Sequence, residues 1–372
     1  MRPKLVGPVL ILAAVSTLSA CAAAARVERP AAPARLSRDS LLQHRGPSGE
    51  LLPVETTHDW LSRRAEIRRG VEAVMGALPG DEKRCPLDMT VLEEVDCGSY
   101  VRRFITYASE PGGRVPAYLC VPKRLLEGGG GRAPAVLCLH GTDNIVGHGV
   151  VVGLGGKPNR QYASELAERG YVTLAPNYPL LAKYQPDLTA LGWKSGTLKA
   201  VWDNLRGLDL LESLPFVKPG AFGAVGHSLG GHNSVFTAFF DDRIRAVVSS
   251  CGLDSFLDYY GGAEKNWAPE KGWCQTRYMP TLAGYRGRLE EIPFDFHELL
   301  GALAPRHVLI VAPLKDGNFR HESVDRVAAA AGEVYRLYGH PSRLRVEHPD
   351  CDHDFPEGMR RAAYELFDAV LR

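Results

Sequence analysis

Three side chains far apart in the chain have the types that nucleophilic hydrolysis needs: a serine, an aspartate and a histidine. Ser228 stands in FGAVGHSLGGH, residues 222–232. Phe222–Val225 is short and apolar and suits a buried strand, and Asn233–Phe240 is apolar enough for a helix packed on a sheet. Between them Gly226, Gly230 and Gly231 remove side chains from both sides of the serine. Strand, sharp turn and helix is the setting in which G-x-S-x-G carries an exposed nucleophile on strained backbone. The pentapeptide alone is a weak signal in a chain with 39 glycines, so its partners decide the matter.

A serine nucleophile requires a base for its proton, a group that orients the base, and donors for the oxyanion. On a parallel sheet these belong at the carboxyl ends of strands, where loops converge. Asp316 lies in PLKDG after the apolar run His307–Ala312, and His353 in HPDCDHDFP after Leu344–Glu347. Each has a rival. His348 closes its strand, the place of a packed ring rather than a base. Asp254 also follows a core strand, but it opens an irregular segment, whereas Asp316 sits in a strand-end loop. His227 and His232 flank the serine; the first is read as pointing into the core and the second as part of the first helical turn. Neither needs a catalytic role.

Positioning these groups takes alternating strands and helices. Ala135–Leu139, Tyr171–Ala175, Phe222–Val225, Ile244–Ser249, His307–Ala312 and Leu344–Glu347 read as strands. Gln161–Arg169, Thr197–Leu214 and Glu357–Leu371 read as helices between or after them. Continuous apolar strands of this kind predict a mostly parallel sheet with helices on both faces, an α/β fold. Upstream, Trp60–Leu78 has helical spacing through Leu61, Ala65, Ile67, Val71, Val74 and Met75. Leu92–Tyr107 and Arg114–Val121 read as an antiparallel hairpin about Glu110–Gly113. From about 254 to 305 the alternation stops, in a segment holding nine aromatic residues, among them Trp267 and Trp273. It reads as a cap insertion whose rings either pack on one another, the commoner case, or form a ligand platform, with those two tryptophans the candidate substrate-binding rings in the second case.

These positions resemble the α/β-hydrolase superfamily, in its dienelactone-hydrolase-like and acetyl-xylan-esterase-like branch, over residues of about 90 to 372. The likeness rests on His140-Gly141 after a core strand, Gly226–Gly231, the aspartate loop at 316 and His353-Asp354-Phe355. It implies Ser228 as nucleophile, His353 as base, Asp316 as orienter, and the backbone N–H groups of Leu229 and Thr142 as the oxyanion hole. Two departures bear on substrate rather than mechanism. Leu229 stands where acetyl-xylan esterases of this type often have Gln, and the nucleophile is Ser where dienelactone hydrolase has Cys.

The rest of the composition narrows the function. Lys+Arg number 44 against 43 Asp+Glu, with no basic stripe, which argues against nucleic acid as a partner. Glycine-rich Gly147–Gly156 satisfies no dinucleotide or phosphate-loop spacing, and there is no C-x-x-C or H-E-x-x-H, so neither cofactor nor metal is expected. Arg2 and Lys4 precede the apolar run Leu5–Leu18 and then Leu18-Ser19-Ala20-Cys21, which resembles a bacterial lipobox. The expectation is a signal peptide over 1–21 with Cys21 lipidated, a flexible tether over 22–55, and a hydrolase domain over 56–372. Localisation then follows: exported and lipid-anchored in the cell envelope. An ordinary secretory leader cut within Ala22–Ala25 is the alternative. Of the remaining seven cysteines, Cys85 and Cys97 could pair.

The leading expectation is an exported serine hydrolase that cleaves small-molecule or polysaccharide esters through an acyl-enzyme, with carbohydrate acetyl esters one candidate class. A prolyl-oligopeptidase-type exopeptidase is the enzyme alternative, disfavoured because about ninety residues before the core are too few for a propeller. A catalytically inactive hydrolase fold serving as a binding module is the alternative from another class. It has no need of serine, acid and base together.

Overall fold

Nine strands pair into one sheet, and the order of pairing creates the place where a site can form. The computed structural model describes Met1, Pro3 and residues 35–127 and 131–372, of which Arg35–Arg372 form one unit. Along the chain, a two-stranded ribbon of β1 (Gln43–Arg45) and β2 (Leu51–Pro53) precedes helix α1 (Thr57–Met75). Next come β3 (Thr90–Asp96), β4 (Tyr100–Glu110), β5 (Gly113–Pro122), the single turn α2 (Lys123–Leu126), β6 (Ala133–Leu139), α3 (Tyr162–Glu168) and β7 (Val172–Pro176). The second half holds α4 (Gly196–Ser213), β8 (Val217–His227), α5 (Leu229–Phe240), β9 (Ile244–Ser250) and α6 (Phe296–Ala302). It closes with β10 (His307–Val311), α7 (His321–Leu337), β11 (Leu344–Glu347) and α8 (Glu357–Leu371).

The sheet order is β11-β10-β9-β8-β6-β7-β5-β4-β3. The six strands from β11 to β7 run parallel, and β7-β5-β4-β3 are antiparallel. From β6 the chain moves outward to β7, then crosses back to place β8 on the other side of β6. That reversal leaves a crevice beyond the carboxyl ends of β6 and β8, the usual place for a ligand in an open α/β sheet. On β6, Ala135, Leu137 and Leu139 face one apolar cluster, while Val136 and Cys138 face the other with Tyr162, Phe355 and Phe367. Burial on both faces is why these strands are continuously apolar.

Several expectations change at element level. The strand expected over Leu92–Tyr107 is two strands, β3 and β4, separated by a turn in which Gly98 has φ +84°; Cys97 N–H donates to Tyr100 O there (3.0 Å). Helix α1 starts earlier than expected, at a reciprocal cap between Thr56 and Asp59, and buries Trp60, Ile67, Val71, Val74 and Met75. Leu61 and Ala65, counted toward its apolar stripe, are exposed. All seven cysteines among the described residues are free, so Cys85 and Cys97 do not pair; the Cys97 thiol turns back to Val95 O (3.8 Å).

The tether expected over 22–55 is also shorter. Leu41 and Val54 lie in the main core, and Arg35 pairs with Glu298 at 2.6 Å. Residues 35–55 are therefore part of the folded unit, while Cys21, residues 22–34 and the leader apart from Met1 and Pro3 lie outside the described residues. The insertion over 254–305 contains no strand. It is a chain of short 3₁₀ turns ending in α6, held together by edge-to-face contacts of Phe256 with Trp267 and Phe294 and a tilted one with Phe296.

Candidate active site

Ser228 sits between β8 and α5 with φ 55° and ψ −123°, a backbone region costly for a side-chain-bearing residue. The strain is sustained from several sides. Ser228 N–H donates to Ser250 O on β9 (2.7 Å), and the flanking glycines permit close approach of the chain. A Cβ on Gly226 would meet the backbone of Gly230, and one on Gly230 would meet Leu139 O. The result is a half-buried hydroxyl at the tip of β8, above the N-terminus of α5.

His353 and Asp316 arrive on neighbouring loops that are bonded to each other. Leu314 N–H donates to Pro349 O and Lys315 N–H to Cys351 O (both 3.1 Å). His353 Nδ1 donates to both carboxylate oxygens of Asp316, at 3.0 and 2.9 Å. Asp316 is itself fixed, because its Oδ1 also accepts from Asn318 N–H (2.8 Å) and Phe319 N–H (3.2 Å). With Nδ1 committed, Nε2 is the nitrogen left for proton transfer. Ser228 and His353 line one cleft of about 130 Å³ with Gly141, Thr142, Asp143, Lys157 and His227. Ser228 Oγ and His353 make no hydrogen bond to each other; such contacts often tighten only with substrate.

The rivals are occupied elsewhere. His348 uses both ring nitrogens, Nδ1 at Ala312 O (2.7 Å) and Nε2 at Asp325 Oδ1 (2.9 Å). Asp254 is buried and accepts from Arg320 N–H (3.2 Å); desolvation pushes its carboxyl well above the usual range. It makes no hydrogen bond to His353.

On the oxyanion side, the geometry is set by His140. Its Nε2 accepts from Tyr178 N–H (2.9 Å), which places the proton on Nδ1, and Nδ1 donates to Gly141 O (2.7 Å). Burial lowers the His140 pKa to about 4, so the ring stays neutral. Because C=O and N–H of one peptide point opposite ways, anchoring Gly141 O aims Thr142 N–H away from His140. Leu229 N–H is the first of α5 and has no intrahelical partner. Thr142 lines the cleft beside Ser228, and Leu229 follows Ser228 directly in the chain.

The two tryptophans are not a platform. Trp267 is fully buried and Trp273 is 5% exposed. Trp273 stacks on His232 at 4.1 Å and 14° on one side, with Tyr259 and Phe319 packed against it at 5.4 and 6.3 Å. No sugar can reach a ring already covered, so both residues are withdrawn as substrate-binding candidates. His227 is buried, as expected, with Nδ1 3.1 Å from Ser250 Oγ, but it also meets the site. It lines the cleft, with its ring edge-to-face to His353 at 4.7 Å. His227, Cys251 and His353 offer ligand atoms all within 4.8 Å of one another. Here His353 Nδ1 is committed to Asp316, and burial pushes the Cys251 thiol well above its usual pKa, so it stays protonated at neutral pH.

Sequence reasoning missed Arg160 and the use of Asp354. Arg160 pairs with Asp354 Oδ1 at 2.5 Å, and Asn159 Nδ2 donates to Oδ2 at 2.7 Å. Together they clamp the loop that carries His353. A pair 194 residues apart leaves no local signal.

Sheet, elbow, acid loop and histidine loop give this chain the α/β-hydrolase fold. A family model described as glucuronyl esterase of fungi matches residues 191–339. YtaP of Bacillus subtilis (strain 168), which is named a hydrolase, is 25% identical over 316 residues, covering 83% of this chain and all of that one. Among solved structures, a glucuronoyl esterase from Solibacter usitatus superposes with TM-score 0.70 at 19% identity, over 93% of this chain and 100% of that one. Acetyl xylan esterase 1 from Thermoanaerobacterium sp. JW/SL YS485 superposes with TM-score 0.53 at 17% identity, over 83% and 93%.

Proposed function

We propose that the protein hydrolyses carboxylic esters of carbohydrate through an acyl-enzyme on Ser228, with His353 as base and Asp316 as its orienter. The observation that carries this reading is the two-oxygen grip of Asp316 on His353 Nδ1, in a cleft shared with the strained Ser228. Ser228 Oγ attacks the ester carbonyl as His353 Nε2 takes its proton, and Asp316 stabilises the imidazolium. The oxyanion is received by Leu229 N–H and Thr142 N–H, aided by the positive end of α5. His353 returns the proton to the leaving alcohol, and water repeats the sequence in reverse to free the acid.

The relatives named above include glucuronoyl and acetyl xylan esterases, which supports a carbohydrate ester as substrate. A cleft of about 130 Å³ suits a short ester group rather than a fatty chain. The leader sequence before Cys21 supports export and attachment to the envelope, where polysaccharide is met. The test is turnover of p-nitrophenyl acetate against palmitate, with acetylated xylan and an alkyl glucuronate ester alongside. Activity confined to the short and carbohydrate esters, and lost by about 10⁴-fold or more in Ser228→Ala, is expected. A preference for palmitate, or a tenth of the activity surviving in Ser228→Ala, would overturn it. An inactive binding module would turn over none of the four.

A further inference from the structure

The insertion reaches the oxyanion side of the cleft at one point. Tyr278, in the loop before the 3₁₀ turn Pro280–Tyr285, places its hydroxyl 2.9 Å from Thr142 Oγ1. Its position is fixed by packing and by backbone. Tyr278 O accepts from Thr197 N–H at the start of α4 (3.2 Å), and its ring contacts Trp273 at 5.3 Å and Tyr178 at 6.2 Å. Thr142 Oγ1 is the sole polar partner of that phenol among the described residues. Thr142 itself lines the cleft beside Ser228, and a Cβ on its neighbour Gly141 would stand 3.5 Å from Ser228 Cβ.

Either oxygen of the pair could supply the proton, and chemistry favours one direction. A phenol is a far better donor than an aliphatic alcohol. Burial raises the Tyr278 pKa, so the phenol keeps its proton across the working range. With Tyr278 donating, the Thr142 hydroxyl retains a proton that has no acceptor among the described residues. An oxyanion held by Thr142 N–H would be the acceptor, since Oγ1 and N of one threonine can face a common atom.

We propose that the Thr142 hydroxyl is a third oxyanion donor, and that Tyr278 is the positioning residue that turns its proton toward the tetrahedral intermediate. The chain of donation runs Tyr278 O–H to Thr142 Oγ1, then Thr142 Oγ1–H to the oxyanion, each bond polarising the next. No proton changes owner along it. The cap therefore contributes to the chemical step, beyond covering the sheet.

This rests on the Ser228 acyl-enzyme reading, and the experiment separates the two. Kinetics with p-nitrophenyl acetate are measured for Thr142→Val, Thr142→Ser, Tyr278→Phe and Thr142→Val with Tyr278→Phe. Thr142→Val keeps the backbone N–H and the shape, and should lower kcat by about 10²-fold with KM nearly unchanged, the effect of losing one oxyanion donor. Thr142→Ser should recover most of that loss. Tyr278→Phe should cost about 3- to 10-fold in kcat and nothing further once Thr142 is Val, because its only route to the reaction is gone. Thr142→Ala replaces Thr142→Val should the latter unfold. The proposal is wrong if removal of the hydroxyl changes kcat by less than about threefold, or if Tyr278→Phe costs the same in both backgrounds. Survival of activity in Ser228→Ala would instead remove the reading beneath it.

Discussion

His232 gives the sharpest physical test of the packing around the elbow. It lies on α5, one turn after Ser228, fully buried, with both ring nitrogens lacking a partner among the described residues. Trp273 stacks on one face and Phe236 and Phe296 crowd the edges, at 4.6 and 5.5 Å. Burial alone lowers its pKa to about 3. In the unfolded chain the same ring should titrate near its ordinary value of about 6.5. Between those values the unfolded state binds a proton that the folded state refuses, so stability falls as pH drops below about 6.5 and the loss continues down to about 3. At pH 5 one such ring costs about 2 kcal/mol relative to pH 8. His232→Phe removes the titrating group. Any packing penalty of the larger ring is present at both pH values and cancels in the difference. Urea unfolding followed by tryptophan fluorescence at pH 8 and pH 5 gives the two stabilities for each protein. The wild type should lose about 2 kcal/mol more than the variant over that interval. His140 and His148, with pKa values lowered to about 4 and about 3, add their own losses equally to both proteins. An unchanged difference between wild type and variant would refute the claim that His232 is held neutral in the fold.

The acid is tested by comparison: Asp316→Asn should lower kcat by about 10³- to 10⁴-fold by favouring the wrong tautomer of His353. Asp254→Asn should cost far less, because that carboxyl makes no hydrogen bond to His353 and accepts instead from Arg320 N–H; reversed magnitudes would place the acid after β9 instead. For the leader, Cys21→Ser should leave the protein outside the membrane fraction and without labelled palmitate, and wild-type incorporation would mean that Cys21 is not the lipidated residue.

The elements that carry the chemistry were legible because each obeys a local rule. Ser228 lies between an apolar strand and an apolar helix, and the glycines around it are needed wherever backbones approach so closely. Asp316 and His353 follow apolar runs, and a loop after a parallel strand can only open at the carboxyl edge of the sheet. Leu344–Glu347 and Glu357–Leu371 have the same bounds in sequence and structure for that reason. Residues 35–55 were misread as wholly tether because Leu41 and Val54 are isolated apolar residues in a stretch without period, and only the assembled core shows a place for them.

Contacts between distant segments had no such rule to follow. The amino-acid types of the insertion predict that its aromatics will be buried somewhere, but ring faces are claimed by whichever neighbours arrive, and Trp273 was claimed by His232 and Phe319. Arg160 meets Asp354, and Tyr278 meets Thr142, across 194 and 136 residues. Periodicity and turn chemistry act over a few residues and place the serine, the aspartate and the histidine on their strand ends. Side-chain partnership at the site is settled by the register of the sheet and the packing of the cap, which bring together groups that no local pattern connects.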